Sequence, residues 1–239
     1  MSPPCLVAAA LLVLAMPAIA PAACRTGSGA DRPHLVELYT SEGCSSCPPA
    51  ETWLSALRGK PAWLALEYHV DYWDTPAFRD PWADARHTAR QRAFARAQHV
   101  NVVTPQIVLD GRPWKNWPRG APPAPVDTPA PALVLEAVRD GLRVTAQVTT
   151  AAGSSVYLAV TEDGLSHAIG AGENRGKRLH HDQVVRAFDG PHASGTFAAT
   201  LTLPADLVPA RARLVAFVQD ARDGRVTQAV ALALAACTR

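Results

Sequence analysis

Charge and long apolar runs are what this chain of 239 residues has least of. Only 18% of its residues are Asp, Glu, Lys or Arg, and they sum to +2 with His neutral. No segment gathers Lys and Arg into a basic stripe, which argues against nucleic acid as a partner. The longest apolar run, Leu6 to Met16, is eleven residues. That is too short to span a bilayer, and no later segment comes closer. Small residues follow it, with Ala18-Ile19-Ala20 and Pro21-Ala22-Ala23 as cleavage candidates. Residues 1–23 therefore read as a secretory signal peptide, although no Lys or Arg precedes the apolar run. Cysteine is scarce as well. Cys5 leaves with the signal, and Cys24, Cys44, Cys47 and Cys237 remain. No second cysteine pair and no spaced His pair accompanies them, so a zinc-finger type of site is not expected.

Proline is abundant and concentrated. Arg112 to Pro131 carries prolines at 113, 118, 122, 123, 125, 129 and 131, which favours a stiff, extended connector. The chain divides there into an expected domain over 30–115, a linker over 116–131 and a second domain over 132–239. Before the break, strand and helix patterns alternate. His34–Thr40, Trp63–Val70 and Gln106–Leu109 read as strands, the last closed by an Asp110-Gly111 turn. One helix starts near Cys47 and ends by Arg58. Another opens at Asp80-Pro81, a capping acid followed by Pro, and runs to about Gln98. Arg86, Arg90, Arg92 and Arg96 on that helix read as a solvated face. After the break the pattern has period two, with short strands at the spacing of a β-sandwich.

Cys44-Ser45-Ser46-Cys47 lies between the first strand and the first helix. A helix N-terminus stabilises a thiolate, which is the nucleophile of disulfide chemistry. Cys44 is the expected attacker, and Cys47, one turn on, the resolving thiol. Pro48 and Pro49 fit only the first helical turn, and they remove two N–H donors from it. An even cysteine count in an oxidising compartment allows a second bridge, Cys24 to Cys237, across the ends of the mature chain. Lipidation of Cys24 is the competing reading, with Pro21 in place of the usual aliphatic residue.

The chain resembles the thioredoxin superfamily. More narrowly, it resembles a family of exported bacterial proteins known only as a domain of unknown function. The resemblance rests on Val36 to Ala50 around the cysteines, on His69-Val70-Asp71-Tyr72-Trp73-Asp74 and on Thr104-Pro105-Gln106. Gly172-Glu173-Asn174-Arg175-Gly176 and Val184-Val185-Arg186 extend it. It implies an α/β thioredoxin-like domain, a central mixed sheet flanked by helices, followed by a smaller all-β sandwich-like domain. It also implies a cis Thr104-Pro105 bond facing the cysteines, and a buried acid, Glu37, shuttling a proton to Cys47. The pair between the cysteines, Ser45-Ser46, departs from the Gly-Pro of thioredoxin, so the redox poise is not implied.

The expectation is an exported, periplasmic thiol–disulfide oxidoreductase without a cofactor. Its substrate, a protein or small thiol, would sit against Thr104, Pro105 and Trp73, and an unidentified redox partner would recycle it. Two alternatives stay open: a copper or zinc metallochaperone using Cys44, Cys47 and His69, and a binding module with a structural disulfide. The glycine-rich Gly170–Lys177 stretch lacks P-loop spacing and reads as a loop packing over the redox face. His180-His181 is adjacent rather than helically spaced, so a metal shared by the two is not expected.

Overall fold

The structure, a computed structural model, describes residues 24–29, 32–119 and 130–238. The expected signal peptide and most of the proline-rich segment lie outside these residues. Strand β1 is Cys24–Gly27, β2 His34–Thr40, β3 Trp63–His69, β4 Gln106–Leu109 and β5 Arg112–Pro113. Helix α1 is Pro48–Ser55 and α2 is Ala85–Gln98. Nine strands follow: β6 Leu133–Asp140, β7 Arg143–Thr150, β8 Ser154–Glu162, β9 Leu165–Ala168, β10 Arg178–His181, β11 Val184–Ala193, β12 Thr196–Thr202, β13 Ala212–Asp220 and β14 Val226–Ala233.

The helix-flanked α/β fold expected from the motifs is not what forms. The described chain is mostly strand, with two α-helices of 8 and 14 residues. Its centre is one eight-stranded sheet in the order β14-β13-β8-β11-β3-β2-β4-β5. The reason lies at β3. Its outer edge is not covered by a helix but taken up in parallel by β11, where Val184 sits opposite Glu67. Strands from both sides of the proline-rich segment therefore share one hydrogen-bonded sheet.

Strand β2 shows why the centre holds. All seven of its residues are buried, because both faces of the sheet are covered there. Its pairing is parallel to β3 and antiparallel to β4. Val36 and Leu38 face α1 and pack with Ala50, Leu54, Ala65 and Ile107. Leu35 and Tyr39 face the other way, into a cluster with Tyr68, Val108, Phe188 and Phe217 that receives Phe94 of α2. Farther along the sheet, Leu158, Leu214 and Leu232 pack on Leu133, Leu135 and Val148 of a second sheet, ordered β1-β6-β7-β12. A two-stranded hairpin, β9 with β10, stands apart from both sheets.

Covalent and turn constraints pin the ends. Cys24 and Cys237 are disulfide-bonded, joining β1 to the turn after β14. The β4–β5 turn puts Asp110 and Gly111 at φ 48° and 78°, a conformation glycine adopts freely. A side chain at Gly111 would also run into the backbone of Gly224, so Gly111→Ala is doubly disfavoured.

Candidate functional site: a covered disulfide above a buried His–carboxylate network

Cys44 and Cys47 are joined by a disulfide at the end of β2 where α1 begins. Cys47 is the N-cap of α1, Pro48 and Pro49 form its first turn, and Ala50 N and Glu51 N donate to Cys47 O. The proline pair therefore fixes where the helix starts, as its missing N–H groups require. Both cysteines are buried, at 1% and 0% exposure, while Ser45 and Ser46 between them face solvent.

The cover comes from the far side of the chain. The loop joining β9 to β10 lies over the cysteines. Asn174, fully buried, donates from Nδ2 to Glu42 O at 2.8 Å and to Cys44 O at 3.0 Å. Ser45 N donates to Glu173 Oε2 at 2.9 Å. Lys177 Nζ donates to Asn174 Oδ1 at 2.9 Å, holding the amide in place. Truncating Asn174 to Ala leaves the shielded Glu42 carbonyl without a donor and Cys44 O with Cys47 N alone, a cost of about 1–3 kcal/mol borne by the covered state. The uncovered population then rises roughly 5- to 150-fold. Reduction of Cys44–Cys47 by a small thiol in the folded protein is expected to accelerate by that factor, read by alkylation and mass. Glu173→Ala should do less, because Ser45 N regains water.

The neighbouring residues converge as follows. Trp73 Nε1 donates to Thr104 Oγ1 at 2.8 Å. The Thr104-Pro105 bond is cis and precedes β4, which pairs with β2 from Gln106 opposite Tyr39. A Cβ on Gly43 would come within 3.2 Å of both Trp73 and Phe78. Trp73 thus packs against Gly43, the residue before Cys44, and is tied to Thr104 through its indole. Strand β5 and Trp114 close the outer edge of β4 from Ile107 onward.

Glu37 is not part of this group. It points to the α2 face of the sheet, where Arg90 Nε donates to its Oε1 at 2.6 Å. Arg90 is not on a solvated face, as expected from its helix, but sits over Tyr157 and Phe217 at 4.5 and 4.9 Å from the ring centroids. Burial opposes its charge, and Glu37 outweighs burial, so its pKa stands well above the usual value. A cavity of about 510 Å³ opens beside Arg90, lined by α2, Tyr157, Phe188 and Gln219; it is on the face opposite the disulfide.

Beneath the cysteines, on the α1 face, lies a polar network that the residue patterns did not reveal. Alternation along β3 sends Glu67 and His69 to this face, opposite Leu38 and Thr40 of β2. Glu67 Oε1 is 2.9 Å from His69 Nε2 and 2.7 Å from His181 Nδ1. The other nitrogens turn outward: His69 Nδ1 to Asp80 Oδ2 at 2.7 Å, His181 Nε2 to Glu42 Oε1 at 3.3 Å. Asp80 is therefore not the helix cap that the Asp-Pro pair suggested; Asp84 caps α2 instead, accepting from Arg86 N. Asp80 also accepts from Glu42 N at 2.9 Å. Thr40 Oγ1 donates to Glu51 Oε1 at 2.6 Å.

Burial and proximity set the charges here. Burial lifts the Glu51 carboxyl to about 7, with the Glu67 charge adding to it. Burial opposes a charge on His181, but Glu67 and Glu42 outweigh it and raise the pKa to about 9. Asp80 is held at about 2 against its burial, chiefly by His69. His69 is committed to Glu67 and Asp80, so the set Cys44, Cys47 and His69 is not assembled with the disulfide closed. His181 was legible only as half of an adjacent pair; alternation on β10 buries it and leaves His180 exposed.

No curated protein matches this sequence. The fold is similar to the crystal structure of a protein from Agrobacterium tumefaciens determined by a structural genomics consortium. The TM-score is 0.55 at 25% identity, over 83% of this chain and 93% of that one. A family profile described as "Protein of unknown function (DUF1223)" matches residues 35–219. That span includes the disulfide, the covering loop and the whole buried network. Neither match is described as a thioredoxin, so the likeness read from the motifs stops at the uncharacterised family. The chain belongs to the DUF1223 family of proteins of unknown function.

Proposed function

We propose that Cys44–Cys47 is a thiol–disulfide exchange centre that acts on a protein or small thiol outside the reducing cytosol. One observation carries this reading: the disulfide closes across the N-cap of α1, where a departing Cys47 thiolate meets the positive end of the helix. A substrate thiolate attacks Cys44 Sγ. The Cys44–Cys47 bond breaks and its electron pair leaves on Cys47, which later takes a proton. A second substrate thiolate attacks the substrate sulfur of the mixed disulfide and releases Cys44. The substrate dithiol is oxidised to a disulfide and the protein is reduced to a dithiol; run backwards, the same steps reduce a substrate. A separate redox partner resets the pair. Trp73, Thr104 and Pro105 flank the entering chain, and opening of the Glu173–Asn174 contacts admits it. Glu37 has no part, since its carboxylate is bound to Arg90 on the other face. Two disulfides in one chain support an oxidising, exported setting.

The burial of both sulfurs favours a second reading, a disulfide that only locks the loop before α1. Glutathione disulfide separates the two. After mild reduction, Cys47→Ser should accumulate a glutathione adduct on Cys44, visible by intact mass, while wild-type protein passes through it and closes. A Cys44 thiol that stays unmodified in folded Cys47→Ser, yet reacts once unfolded, would establish the structural reading.

A further inference from the structure

The network beneath the disulfide has the form of a metal centre. Glu67, His69 and His181 each offer a ligand atom, and these atoms lie within 4.8 Å of one another. All three residues are fully buried. Each imidazole turns one nitrogen inward to Glu67 and fixes the other on a carboxylate, Asp80 for His69 and Glu42 for His181. Metal-binding histidines are held this way, with an outer carboxylate setting the tautomer and orienting the ring. Glu42 is itself steadied by His167 Nδ1 at 2.6 Å on its second oxygen.

A separate observation points inward. Both imidazoles converge on Glu67 Oε1, while Glu67 Oε2, equally buried, has no hydrogen-bond partner among the described residues. An oxygen so enclosed is normally satisfied. Glu51 adds a fourth donor from α1: its Oε2 is 3.8 Å from His181 Nδ1, the inward nitrogen, while Thr40 holds its other oxygen.

We propose that Glu67, His69 and His181, with Glu51 as fourth ligand, bind a divalent transition-metal ion of the zinc class. Two imidazoles and carboxylate oxygens, without thiolate, suit zinc in tetrahedral geometry and do not select a soft ion such as Cu(I). Ligands at about 2.0–2.2 Å from a tetrahedral ion stand roughly 3.3 Å apart. The inward nitrogens, now 2.7–2.9 Å from Glu67 Oε1, draw back by about half an ångström, while the wider separations in the set, which reach up to 4.8 Å, close toward that spacing. Because all three residues are fully buried and a fourth donor is at hand, the site is a closed, structural one. It joins β3, α1 and the end of the hairpin that covers Cys44.

Metal binding here is independent of thiol exchange, and the wild-type titration keeps both disulfides closed. Chelator-treated, oxidised protein is titrated with Co²⁺ and then Zn²⁺. The expected result is one equivalent of Co²⁺ with the visible spectrum of a tetrahedral N/O site, displaced by Zn²⁺, and a melting temperature that rises with zinc. Cys44→Ser/Cys47→Ser should bind as wild type. His181→Gln and Glu67→Gln should lose the spectrum and the zinc-dependent rise; His69→Gln serves if either fails to fold. Folded wild type that binds no equivalent of Co²⁺ or Zn²⁺ would overturn the proposal. Binding lost with the cysteines, or kept by folded His181→Gln and Glu67→Gln, would overturn it too.

Discussion

Arg90→Ala is expected to lower stability by about 3–5 kcal/mol, because it strands a buried carboxylate. The side chains of Glu37 and Arg90 are 2% and 8% exposed, and the pair is enclosed by Tyr157, Phe188 and Phe217. With the guanidinium gone, Glu37 keeps only a long contact from Tyr39 Oη at 3.5 Å. The cavity beside Arg90 offers no compensating cation at Glu37 other than Arg86, which is engaged with Asp84 and Phe188 O. Urea titration at unchanged m-value is the check. Glu37→Gln/Arg90→Met should recover much of the loss, since both charges leave together. A loss below about 1 kcal/mol for Arg90→Ala, within the range of surface ion pairs, would mean that the pair is solvated.

Replacing Cys24 and Cys237 together by Ser is the second large effect. The bridge spans 213 residues, for which the chain-entropy model gives about 5 kcal/mol. Native disulfides typically deliver about 2–5 kcal/mol. For a chain of this size the melting temperature should fall by roughly 5–20 °C. The physical route is visible in β1, an edge strand of four residues whose pairing to β6 begins at Cys24 opposite Ala137. Without the bridge it is held by that ladder, its packing and the exposed Arg25–Glu136 ion pair. Reduction of Cys44–Cys47 should be unaffected at temperatures where the double variant is folded, since Cys24 and Cys237 sit in a different core cluster.

Local order was legible where local rules decide it. The apolar run His34–Thr40, the proline pair after Cys47 and the Asp110-Gly111 turn each carry their own signal, and the strand, helix start and turn stand where those signals put them. The architecture was not legible, because the union of β3 with β11 depends on a non-local edge pairing that no residue announces. The same limit hid the buried network. Glu42, Glu67, Asp80 and His181 are far apart in sequence, and Asp80 carried a misleading helix-cap signature. Asn174 belonged to a loop that could be placed near the cysteines, but its two hydrogen bonds to Glu42 O and Cys44 O follow only from the hairpin's return.

The most direct test is to equilibrate the folded protein with graded dithiothreitol buffers, alkylate and map the modified cysteines. Cys44 and Cys47 are expected to become labelled together while Cys24–Cys237 stays closed and the circular dichroism stays native. If Cys44–Cys47 opens only where the fold is lost, the pair is a structural clasp and the exchange reading is wrong.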